Sequence, residues 1–186
     1  MRADKLPRTT KLPDFQIKYG TASDQKAELR VPASEGPHAV VILIHGGCWQ
    51  TSFANLSDLT SMAEELKALG YATWNIEYRR LGQTGGGWPG TYQDVGHAVD
   101  YLRTIAGDHH LDLSRVLVLG HSAGGHLAMW AAARSRLPKD SPLYMADPLP
   151  LSGAINLAGT ADMEAFIPFE QGCCGGTVVE QMLGGP

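Results

Sequence analysis

Cysteine is scarce, with three in 186 residues. Cys48 stands alone, and Cys173 and Cys174 are adjacent, a placement awkward for a mutual disulfide. So few cysteines exclude a small disulfide-held scaffold, and the sequence reads as three reduced thiols in a cytoplasmic protein. Long apolar runs are missing too. The longest purely aliphatic stretch, Val40 to Ile44, is far shorter than the roughly 20 residues that cross a bilayer. Met1 to Pro13 is polar and mixed in charge, without the basic-then-apolar pattern of a signal peptide. Neither sign of charge forms a block, and 15 basic against 19 acidic residues leave a net charge of −4. That balance argues against a nucleic-acid or membrane-surface partner and favours a small neutral or moderately apolar one. There is no internal repeat and no low-complexity tract.

What is present is an ordinary globular composition, 44% hydrophobic and 18% charged, enough for one core and read as a single domain over residues 1–186 with a loose arm over 1–12. Phe15 to Tyr19 and Ala27 to Val31 alternate as two strands of a hairpin across Gly20 to Asp24. Val40 to Ile44 and Val116 to Leu119 are continuous apolar runs, the mark of strands buried on both faces, and Tyr71 to Ile76 and Leu151 to Leu157 add two more. Apolar residues recur at helical spacing over Leu56 to Leu69 and Tyr92 to Ile105, Ala123 to Arg134 reads as a buried helix because it is apolar nearly all round, and shorter helices cover Met163 to Phe166 and Val178 to Leu183. Leu81 to Gly90 is a glycine-rich loop. Strands alternating with helices imply the α/β class, with a mostly parallel twisted sheet covered by helices on both faces.

The chemistry gathers at two strand ends. Val116 to Leu119 leads straight into Gly120-His121-Ser122-Ala123-Gly124 and a helix, the context that gives a G-x-S-x-G match its meaning. Such a turn holds Ser122 in strained backbone geometry at the carboxyl end of the sheet, with Gly120 and Gly124 leaving room for close neighbours. The helix dipole and the Ala123 N–H would stabilise an oxyanion formed there. At the end of Val40 to Ile44 stands His45-Gly46-Gly47-Cys48-Trp49. Its glycines let main-chain N–H groups of Gly47 and Cys48, with Gly46 nearby, turn toward the same oxyanion.

These two segments, with Glu77-Tyr78-Arg79-Arg80 and Gly87-Trp88-Pro89 ahead of Asp94-Val95, resemble the α/β-hydrolases of the esterase branch, hormone-sensitive-lipase-like and kynurenine-formamidase-like, over roughly Phe15 to Leu157. The resemblance implies a serine hydrolase that cleaves a small ester or an aryl-formyl amide through acyl-Ser122, without a cofactor. It assigns His45 and His121 to backbone positioning and packing.

One part of the pattern is not met. Such hydrolases use Ser, then Asp or Glu, then His, in chain order. The last histidine here is His126, on the same helix as Ser122 and directed along or under it, so no base is identified. Asp162 is a candidate acid, although a helix cap before Met163 is the stronger reading. His109-His110 beside Asp108 and Asp112 lacks metal-ligand spacing, and no metal is expected. The resemblance implies that acid and base would follow two further strands beyond Pro186, as in a truncated enzyme. Leu151 to Leu157 would then be an exposed edge prone to self-association. The alternative is a catalytically inactive fragment or pseudoenzyme that keeps a small-molecule pocket.

Overall fold

The computed structural model describes residues 11–185, with strands β1 (Phe15–Lys18), β2 (Lys26–Arg30), β3 (His38–Ile44), β4 (Ala72–Ile76), β5 (Leu111–His121) and β6 (Gly153–Leu157). The arm expected over residues 1–12 lies almost wholly outside the described residues. The strands form one sheet in the order β1-β2-β4-β3-β5-β6. β1, β2 and β4 pair antiparallel, whereas β4-β3, β3-β5 and β5-β6 are parallel. Helices α1 (Thr60–Ala68), α2 (Gly90–Asp100), α3 (Leu102–Ile105), α4 (Ala123–Ala133), α5 (Met163–Cys173) and α6 (Val178–Leu183) complete the fold. No helix among the described residues is long and apolar enough to cross a membrane.

The two-residue period of β3 explains the layering. Val40, Ile42 and Ile44 enter the larger core with Val95 and Val99 of α2 and Leu127 of α4. Val41 and Leu43 face the other way, onto Leu59, Ala63 of α1 and Leu119. Helices therefore cover both faces, but unequally. Beside α1, an apolar groove of about 410 Å³ is lined by Val41, Leu66, Tyr71, Leu117, Leu119 and Ile155. β6 pairs only with β5 among the described residues, and its Ile155 is 39% exposed.

Three expectations are corrected. The cysteines are not all reduced: Cys48 and Cys174 form a disulfide with their Cα atoms 5.5 Å apart, leaving Cys173 free and exposed. The partners are 126 residues apart in sequence, so only the fold brings them together, and the thiol argument for a cytoplasmic location falls with that bond. The helix after Asp162 does not stop at Phe166 but continues through Pro168 to Cys173. A proline inside a helix removes one backbone hydrogen bond, and tertiary ties offset this: Phe166 and Ile167 pack on the core, and buried Glu170 accepts the Val179 N–H at 2.7 Å. β5 begins at Leu111 rather than Val116, because Leu111 and Asp112 pair with His38 and Ala39 before a register shift.

Candidate active site

The turn out of β5 is built around one residue. Ser122 has φ 54° and ψ −122°, a sparsely populated conformation that costs on the order of 1–3 kcal/mol and persists only where surrounding contacts impose it. Those contacts are visible. The Ser122 N–H donates to the Leu157 carbonyl at 2.8 Å, and the Ser122 carbonyl accepts the Gly125 N–H at 2.8 Å. A Cβ on Gly124 would collide with the Ile44 and His45 carbonyls, and one on Gly120 with the Gly124 carbonyl. Both positions need glycine because backbone passes where a side chain would begin. α4 starts at Ala123, so its first N–H groups and the positive end of its dipole lie beside the Ser122 hydroxyl.

The second turn, after β3, is also strained. The Gln50 N–H donates to the Gly47 carbonyl at 2.9 Å, and the two residues between, Cys48 and Trp49, have φ of 51° and 55°. Two positive φ values make the type I′ pattern, which favours Asn-Gly and is met here by cysteine and tryptophan, neither of them glycine or asparagine. Three ties hold it. Cys48 is bonded to Cys174, Trp49 is 1% exposed in the core, and the Gln50 side chain donates to the Cys174 carbonyl at 2.9 Å. The N–H groups of Gly47 and Cys48 have no hydrogen-bond partner among the described residues. A Cβ built on Gly46 would sit 3.0 Å from that of Ser122, so the two turns meet.

Behind the second turn lies a polar cluster that joins His45 to the Glu77-Tyr78-Arg79-Arg80 run, a contact that sequence reasoning did not give. His45 is fully buried, and its Nε2 lies 2.8 Å from Glu77 Oε1. The same oxygen is 3.2 Å from Arg80 Nη2, and Oε2 accepts the Leu56 N–H at 3.1 Å. Burial pushes the Glu77 carboxyl up, but His45, Arg80 and the backbone donor outweigh it and hold the group below the usual carboxylate range. The Tyr78 hydroxyl donates to the His45 carbonyl at 2.8 Å, and its ring stacks on the imidazole. A signal was present in the run Glu77-Tyr78-Arg79-Arg80, charge directly after the wholly buried strand β4. Its partner could not be read from spacing.

No base reaches Ser122 among the described residues. All seven histidines lie within the described residues, and none hydrogen-bonds its hydroxyl. His126 sits edge-on between Trp49 and Tyr92, at centroid distances of 5.5 and 5.7 Å. Burial pushes its pKa down to about 4, poorly matched to proton abstraction near neutrality. Asp162 caps α5 by accepting the Ala165 N–H at 2.9 Å, which is the capping role. His121, the last residue of β5, is exposed. No cluster of three or more His, Cys, Asp or Glu able to hold a metal occurs among the described residues.

A family model described as BD-FAE matches residues 28–185. No protein of curated function matches the chain. Among solved structures, an inhibited esterase B from Lactobacillus rhamnosis superposes with a TM-score of 0.78 at 22% identity, covering 94% of this chain and 59% of that one. A bifunctional GH43-CE protein of Bacteroides eggerthii gives 0.72 at 23% identity, covering 91% of this chain and 26% of that one. A bacterial heroin esterase gives 0.53 at 30% identity over 60% of this chain and 35% of that one. The chain therefore spans less than two thirds of the length of each of these relatives. The shared architecture is the α/β-hydrolase fold.

Proposed function

Because the chain belongs to the BD-FAE family, in the esterase group of the α/β-hydrolases, we propose that it is a carboxylesterase-like serine hydrolase with Ser122 as nucleophile. The observation that carries this reading is the meeting of two strained turns, one presenting the Ser122 hydroxyl and the other the unpartnered N–H groups of Gly47 and Cys48. The esterase relatives support an ester as substrate, and the family resemblance adds aryl-formyl amides.

In the reaction, the Ser122 oxygen attacks the substrate carbonyl carbon while its proton passes to a base. The carbonyl oxygen becomes an oxyanion that accepts hydrogen bonds from the Ala123, Gly47 and Cys48 N–H groups. Collapse expels the alcohol or amine, which takes up the proton, and leaves acyl-Ser122. Water then releases the acid and restores the hydroxyl.

The absence of any histidine bonded to Ser122 among the described residues favours a second reading, a pocket that binds small acyl compounds without turnover. Two experiments separate them. A fluorophosphonate probe should label Ser122, and the gene's reading frame past Pro186 should supply an Asp and a His. If the longer protein, with such residues, resists the probe at Ser122, the hydrolase reading fails. For the 186-residue chain, little or no p-nitrophenyl acetate hydrolysis is expected; hydrolysis that Ser122→Ala abolishes and His126→Ala does not would show that a base other than His126 serves Ser122.

A further inference from the structure

The ring of His45 faces a hydrogen-bond acceptor at both nitrogens. Nε2 is 2.8 Å from Glu77 Oε1, and Nδ1 is 2.8 Å from the carbonyl oxygen of Gly46. A neutral imidazole has one N–H and one lone pair, so either tautomer would set a lone pair against an oxygen. Only the ring with two N–H groups satisfies both contacts. Of the charged and titratable groups around it, Glu77 at Nε2 favours that form and the Tyr78 ring stacks on it at 4.4 Å, whereas Arg80, which shares the same carboxylate oxygen and has Asp24 at 3.7 Å, opposes it as a like charge. Tyr78 also fixes the His45 main chain by donating to its carbonyl.

The Gly46 carbonyl belongs to the peptide whose other end is the Gly47 N–H. In a trans peptide the two point in opposite directions. Drawing the carbonyl toward the His45 ring thus turns the Gly47 N–H to the other side of the peptide; it has no partner among the described residues, and the adjoining Gly46 abuts Ser122. Glycine offers no side-chain barrier to rotation of this peptide, so its orientation depends on what grips it.

We propose that Glu77 is a positioning residue of the oxyanion turn, holding His45 with both nitrogens protonated so that Nδ1 locks the Gly46–Gly47 peptide with its N–H toward Ser122. This rests on the reading of Ser122 as the nucleophile. The contact chain is Glu77 to His45, His45 to the Gly46 carbonyl, and the Gly47 N–H to the developing oxyanion. Glu77 touches no substrate.

The test uses the full chain labelled with ¹⁵N. At neutral pH both His45 ring nitrogens should give protonated-nitrogen shifts, and an unprotonated nitrogen at His45 overturns the proposal. Glu77→Gln should shift the Gly47 amide resonance while the Ser122 amide, bonded to Leu157, stays in place. An unmoved Gly47 resonance overturns it, and if that variant does not fold, the wild-type ring signals decide. Residual Ser122-dependent hydrolysis of p-nitrophenyl acetate supplies a second readout, because an oxyanion site retains some catalysis without a base. Glu77→Gln should lower kcat at least tenfold with KM within about twofold, and an effect on KM alone overturns the proposal. If the wild type shows no turnover that Ser122→Ala removes, the ring and amide resonances alone decide the brace, and failure of the longer protein to label at Ser122 remains the separate outcome that sinks the hydrolase reading.

Discussion

Cys48, the middle of three consecutive residues with positive φ in the turn after β3, is disulfide-bonded to Cys174 at the end of α5. The bond ties the C-terminal helices to the turn that carries the candidate oxyanion donors. Alkylation of the unreduced protein should label Cys173 alone, and alkylation after reduction under denaturing conditions should label all three cysteines, as read by mass. Reduction should lower stability by about 2–5 kcal/mol in urea titrations. Three labelled thiols in the unreduced folded protein would show that the bond does not form.

Gly124→Ala should be among the most damaging substitutions in the chain. Its methyl group would meet two main-chain carbonyls rather than movable side chains, so relief requires separating β3 from α4. A loss of at least about 3 kcal/mol is expected. Gly107, with open space around its Cβ position, is the control. Gly107→Ala should stay within about 0.5 kcal/mol of the parent in denaturant melts.

His126 makes stability depend on pH in a defined window. Its folded pKa of about 4 lies below the ordinary 6.5, so between these values the unfolded chain binds the extra proton. Stability is therefore full above pH 6.5 and falls as pH drops toward 4, by up to about 1.4 kcal/mol per unit. His126→Gln should flatten this part of the profile. A variant that keeps the wild-type slope between pH 6.5 and 4 would assign the proton to another group.

The β6 edge should promote association. Ile155 is 39% exposed beside the apolar groove next to α1, and an uncovered strand edge is a template for pairing. Light scattering should find concentration-dependent association that Ile155→Lys reduces. A monodisperse parent across the accessible concentration range would remove this surface from consideration.

The local sequence by itself determined β3, the end of β5, and the strand-to-helix elbow at Ser122. Their signals are short-range, consisting of continuous apolar runs, glycines at fixed offsets and an apolar stretch beginning at Ala123. The same short range made the Asp162 cap legible, since its acceptor and donor are three residues apart. Only the tertiary structure decided which groups brace those turns. The Glu77 contact to His45 spans 32 residues and the Cys48 bond 126, and α5 passes Pro168 because packing and the Glu170 contact compensate for one missing hydrogen bond. Side chains set the local backbone through neighbours a few residues away, but a buried carboxylate or thiol takes its role from whatever the packed sheet brings against it.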